Sequence, residues 1–333
     1  MNKIAVLLAA LMLSIFARDA GAQARGDQSA RAAQPNGRAG RGNFPPLEAG
    51  PLPYTLVDNW TKLPPDIKLG NVSAIAVNSK GHVFVFHRGP VPLFEFDADG
   101  TFVRGFGEGL ATRAHGIKID SLDNIWITDN GNHTVVKMDP AGKVVMTLGE
   151  RGKNGTWDEA AGTKLFDQPT DVAFAANGDF FVSQGHGGTP MILRFDRTGR
   201  LLKSWTVEPR GADVATNLHM LVFNRQGLLL VADREAGRVL VFDVDGNLRR
   251  TIQMRNRVSG LALGRDGRMY VSSSVEGQII QADLDGNVLT VAGTYGTGPG
   301  QFIEAHSLAL GPNDEIYAAD NGGSRVQNYI PRK

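Results

Sequence analysis

"NIWITDNGNHTVVKMDPAGKVVMTLG" spans Asn124–Gly149 and decides the fold. It reads as an apolar strand ending in Asp129, a small polar link, a second apolar strand, the turn "DPAG", and a third strand. Alternating apolar residues bounded by Asp, Asn and Gly are the signature of half-buried strands joined by tight turns. The same unit returns as "LLLVADREAGRVLVFDVDGNLRRTI" (Leu228–Ile252) and "RMYVSSSVEGQIIQADLDGNVLTVAG" (Arg268–Gly293). With the short apolar strand that precedes each, every unit carries four strands. Units of this size stacked in series are the blades of a β-propeller.

Six units fit between Pro51 and Lys333, which predicts an all-β, six-bladed propeller forming one domain over residues 51–333. The turns "DADG", "DPAG", "DRTG", "DVDG" and "DLDG" separate third from fourth strands. The sixth unit stops at "NYIPRK" with no fourth strand. The spare segment "YTLVDNW" (Tyr54–Trp60) is expected to fill that place, closing the ring and removing an exposed edge. The repeat pattern, with "GTGPGQF" (Gly296–Phe302) before blade six, resembles the NHL repeat.

Residues 1–24 read as a signal peptide: a basic start, the apolar run "IAVLLAALMLSIF", and "AGAQA" with cleavage expected after Ala24. The run is short for a membrane span. Residues 25–50, rich in Gly, Ala, Arg and Pro, read as a flexible linker. An exported protein, periplasmic or secreted, is therefore expected. The chain has no Cys, so its core must hold without disulfides. Lys plus Arg number 35 and Asp plus Glu 34, a balance that supplies no field for nucleic acid. A monomer with no membrane span is expected.

Aligned on the second strands, the residues that open the six inner strands are Ser73, His115, Thr170, His219, Ser259 and His306. Histidine takes alternate blades, although the chain holds only seven histidines. Inner strands line the central channel, so His115, His219 and His306 should converge on its axis. Three neutral imidazoles suit one Zn²⁺ and leave coordination open, the pattern of a catalytic rather than a structural site. At the end of the second strands, Asp129, Asp233 and Asp320 occupy the same alternate blades. A carboxylate there either fixes an imidazole tautomer or caps the neighbouring turn. One residue further, Arg88 and Arg234 face each other across the ring and are suited to forked binding of a carboxylate. His186, in the glycine-rich "SQGHGG", is either a general acid/base at the same rim or a loop histidine. Glu304, two residues before His306, is either a ligand or acid/base group or a solvated loop carboxylate.

"FHRG", "AHGIKID", "QPTDVAF", "LVADREAGR" and "AHSLAL", in this order, together resemble peptidyl-α-hydroxyglycine α-amidating lyase. The resemblance implies a six-bladed NHL propeller with axial Zn²⁺ on His115, His219 and His306, and substrate-binding arginines at Arg88 and Arg234. It implies cleavage of an N-acyl-α-hydroxyglycine, as a peptide or a small molecule with a carboxylate, into an amide and glyoxylate. The sequence departs from that pattern in four places. His186 stands where the family has a tyrosine proposed as base, and Glu304 where it has a methionine. Ser307 replaces an aspartate that binds a structural Ca²⁺, and the family's disulfides have no cysteines here. A zinc hydrolase acting on a lactone or ester at the same site, and a non-catalytic NHL binding scaffold, are the alternative readings.

Overall fold

The computed structural model describes residues 45–211 and 214–332. The signal peptide expected at 1–24 and most of the linker expected at 25–50 lie outside the described residues. Among the described residues there is no helix, and so none long and apolar enough to cross a membrane.

The protein is a six-bladed β-propeller, each blade built on four antiparallel strands running from the channel outward, with a short fifth strand added to blade five. The inner strands are Val72–Val77, Ala114–Ile119, Pro169–Phe174, Leu218–Phe223, Gly260–Leu263 and Ala305–Leu310. The second strands are buried along their whole length, as in Val83–His87 and Ile125–Asp129, because both faces are covered by neighbouring blades. The core accordingly lies between blades: Phe84, Phe86 and Leu93 of blade one pack with Ile117, Ile127 and Val136 of blade two.

The turns form for a local reason. Asp97 Oδ1 accepts the amide protons of Asp99 and Thr101 at 3.0 and 2.8 Å, and Gly100 supplies the φ of +83° that the tight turn needs. Asp243 and Gly246 repeat the arrangement three blades later.

The ring closes as the sequence predicts. Tyr54–Val57 pairs antiparallel with Arg325–Pro331, Leu56 opposite Tyr329, and forms the outer strand of blade six. Trp60 then wedges between Phe96 of blade one and Tyr317 of blade six, with ring centroids 5.6 and 5.1 Å away. One contact falls on the linker side of the expected boundary. Gly50–Pro51 pairs in parallel with Val288–Ala292 on the outside of blade five, and the Leu47 backbone exchanges two hydrogen bonds with the Gln278 side chain. Packed chain therefore begins before Pro51.

Candidate metal centre

Five of the six inner strands carry a β-bulge at the residue that opens onto the channel. In blade two the ladder steps from Ala114 opposite Asp129 to Gly116 opposite Thr128, leaving His115 unpaired between them. Ser73, Thr170 and His306 occupy the same gap, and His219 shares a wider one with Met220. A bulge turns the extra residue out of the pleat and re-aims its side chain. Here it aims three imidazoles at the axis.

His115, His219 and His306 are buried, and one ring nitrogen of each lies within 4.8 Å of the others. Their ring centroids stand 4.7, 4.7 and 5.2 Å apart. Each Nδ1 faces a backbone carbonyl of the next blade: His115 to Thr170 at 2.7 Å, His219 to Ser259 at 2.7 Å, His306 to Ser73 at 2.6 Å. A carbonyl only accepts, so Nδ1 carries the proton and each Nε2 presents a bare lone pair. Burial, followed by the charge of neighbouring groups, lowers all three pKa values, that of His306 to about 3. The three rings are thus neutral, fixed in tautomer and convergent, a donor set that fits an imidazole-preferring divalent metal.

Donors already stand against two of those lone pairs. Arg234 Nη1 donates to His219 Nε2 at 3.2 Å, and His186 Nε2 lies 3.0 Å from His115 Nε2. Because His115 Nε2 has no proton, His186 is the donor in that pair. His186 is pushed down to about 3, by burial first and then by Arg234, His306, Arg113 and Arg88. The structure therefore brings His186 to the trio. Its glycine-rich segment is closely seated rather than loose: a Cβ at Gly185 would collide with the Leu218 carbonyl, and Gly188 N–H donates to Asp167 at 2.7 Å.

Asp129, Asp233 and Asp320 are not the partners of the axial rings, which corrects the reading of them as tautomer-fixing carboxylates. Asp129 accepts the amide protons of Thr112, Arg113 and Gly131; Asp233 accepts from Asn217 and Arg238; Asp320 from Ile303, Glu304, Gly323 and Arg325. At the same register His87 Nδ1 accepts from Gly70, and Gln184 Oε1 from Asp167. In these five blades the position caps the loop that enters the inner strand; in blade five Ser273 donates to Glu276 instead. The imidazoles turn instead to carbonyls of the next blade.

Arg88 reaches the Ala114 carbonyl from Nε at 3.3 Å, at the rim. The residue is exposed, yet its guanidinium is surrounded enough for burial, then Arg113, to lower its pKa, while Glu304 and Asp129 raise it. Glu304 is half-buried and outside the group of converging ligand atoms, and its charge raises the Arg88 pKa. Arg234 also holds Glu235 at 2.8 Å, and Arg257 holds the same carboxylate at 2.9 Å. Ser307 is buried and offers only a hydroxyl, and the histidine trio is the one group of metal-ligating side chains found among the described residues; no calcium role is assigned. Two rim residues were missed from sequence. Arg113 stands at the register of Glu304, two residues before an axial histidine. Asn130 stands at the register of Arg88 and Arg234, buried, with neither amide atom partnered by protein.

Residues 112–138 match the NHL repeat family model. Over 205 residues, 54% of the chain and 57% of the relative, the protein is 34% identical to a Caenorhabditis elegans protein named "Probable peptidyl-alpha-hydroxyglycine alpha-amidating lyase". Over 222 residues, 59% of the chain and 53% of the relative, it is 30% identical to peptidyl-alpha-hydroxyglycine alpha-amidating lyase 2 of Drosophila melanogaster. Over these segments the chain is similar to amidating lyases. Each match spans about half the length of these relatives. Among solved structures, a streptogramin B lyase superposes with a TM-score of 0.60 at 14% identity, covering 83% of this chain and 97% of that one, a likeness of fold.

Proposed function

We propose that the protein is a zinc-dependent lyase that cleaves the C–N bond of an N-acyl-α-hydroxyglycine-type substrate. The observation that carries this reading is the set of three neutral, convergent Nε2 lone pairs beneath two arginines, in a chain similar to amidating lyases. The reading includes export after removal of residues 1–24 and action as a monomer.

His115, His219 and His306 would hold Zn²⁺, whose Lewis acidity would lower the pKa of the substrate hydroxyl. Arg88 and Arg234 clamp the substrate carboxylate from opposite sides of the mouth. His186 is neutral and takes the hydroxyl proton at a ring nitrogen. The carbinol C–N bond then breaks, its electron pair leaves with nitrogen, and a C=O bond forms. The nitrogen regains a proton from His186. R–CO–NH–CH(OH)–COO⁻ becomes R–CO–NH₂ and OHC–COO⁻, and no water is consumed. A carboxylate bound among Arg88, Arg113 and Arg234 offsets the charges that hold His186 low, so substrate arrival itself strengthens the base.

The test is turnover of an N-acyl-α-hydroxyglycine by the zinc-loaded protein, with His219→Ala as the blank for spontaneous breakdown. Amide and glyoxylate are expected in equal amounts. A protein that leaves this substrate intact and opens lactones or esters is a hydrolase, and the lyase reading falls.

A further inference from the structure

We propose that His186 is a fourth imidazole ligand of the axial metal in the substrate-free protein; this rests on the trio being a metal site. Its Nε2 stands 3.0 Å from His115 Nε2. Two nitrogens bound to one tetrahedral Zn²⁺ at about 2.0–2.1 Å are about 3.3 Å apart. His186 is therefore already at the spacing of a co-ligand of His115. Its ring centroid lies 4.7 Å from His115 and 5.5 Å from His219, close to the 4.7–5.2 Å range within the trio.

The position is built. Gly185 and Gly187 leave no room for a Cβ against the Leu218 backbone and the Asp167 carboxylate, so a side chain at either would push the segment away from the axis. His186 stands just outside the cluster whose ligand atoms all lie within 4.8 Å of one another.

The fourth ligand differs from the three. Their Nδ1 protons are locked onto carbonyls. Among the described residues no hydrogen bond holds His186 Nδ1, so its tautomer is free to change and its bond is the exchangeable one. An imidazole bound to a metal through one nitrogen and protonated on the other has no lone pair left to take a substrate proton. The ligand role therefore belongs to the free protein, and the proton-carrying role to the substrate-loaded protein.

The test uses the full chain without substrate, loaded with Zn²⁺ or Co²⁺. X-ray absorption on the wild-type protein should count four imidazole nitrogens. Competition with a chelator should show His186→Ala losing metal at least about tenfold more readily, and the visible Co²⁺ spectrum should change between the two. His186→Phe, which keeps a ring in the loop, should behave like His186→Ala. Three imidazoles plus an oxygen in the wild type, with equal affinity and spectra in the variants, overturns the fourth ligand and leaves the trio intact. A wild-type protein that binds no metal overturns both.

Discussion

His306 donates its Nδ1 proton to the carbonyl of Ser73, 2.6 Å away and 233 residues earlier in the chain. The contact joins the last blade to the first. His115 and His219 make the same bond to blades three and five, so each ligand on an even blade is oriented by the odd blade that follows it. The ring is shut at the outer edge of the same blade six by Tyr54–Val57 on Arg325–Pro331. Closure of the ring and orientation of the third imidazole thus involve the same two blades.

Purified protein should accordingly hold about one Zn²⁺ per chain. His115→Ala, His219→Ala and His306→Ala should each abolish tight binding, measured by elemental analysis after dialysis. Because the site exists only in the folded ring, Zn²⁺ should raise the thermal midpoint of the wild type and leave that of His219→Ala unchanged.

Arg88→Lys and Arg234→Lys should keep their zinc and lose activity. Lysine carries the charge but not the fork, and the loss of one charge-assisted hydrogen bond lowers kcat/KM by about tenfold or more. Zinc content and kinetics measured on the same preparation check this. Wild-type kinetics in Arg88→Lys would remove the clamp.

The propeller was legible because period-two strands and Asp–Gly turns are local signals repeated six times over. The trio was legible because the repeat supplies its own alignment, in which His115, His219 and His306 fall on one register. The bulge was not: nothing in "AHGIKID" announces that His115 has no cross-strand partner, since the extra residue is counted only against the second strand. The carbonyl partners were invisible for the same reason, as every residue has a carbonyl and only the closed ring selects which one faces an imidazole. That left Asp129, Asp233 and Asp320 as the visible candidates. Gly50 read as linker because glycine seldom announces a strand, and a two-residue edge pairing on blade five demands no side chain.

His87 should make the metal-free protein acid-sensitive. It is buried, accepts the Gly70 amide proton at Nδ1, and leaves Nε2 without a partner; burial lowers its pKa to about 4. The unfolded chain takes up its proton near pH 6.5 and the folded chain only near 4. Stability is full above about 6.5, falls as pH drops between these values, and is flat below about 4 on this account. The slice amounts to about 3 kcal/mol. Chemical denaturation between pH 7.5 and 4 with chelator present should show a smaller loss in His87→Asn than in the wild type. Equal slopes would remove His87 as the cause.

Asp320→Asn separates a capping carboxylate from a ligand-orienting one. Asp320 is fully buried, and its two oxygens accept from the amides of Ile303, Glu304 and Gly323 at 3.0 Å each and from Arg325 Nε at 3.0 Å. Asparagine keeps one acceptor and turns the other into a donor, which faces either amide protons or the Arg325 guanidinium. Arg325 is partly exposed, so water recovers some of the loss, and a cost of about 2–3 kcal/mol is expected. The metal should be little affected, because His306 takes its orientation from the Ser73 carbonyl and not from this carboxylate. Removing a group that orients a metal ligand typically weakens binding by about ten- to a hundredfold. The expected result is thus a clear fall in the denaturation midpoint with zinc affinity of the folded protein changed by less than about tenfold. The reverse result, unchanged stability with affinity lost, would return Asp320 to the imidazole and displace the Ser73 carbonyl from that role.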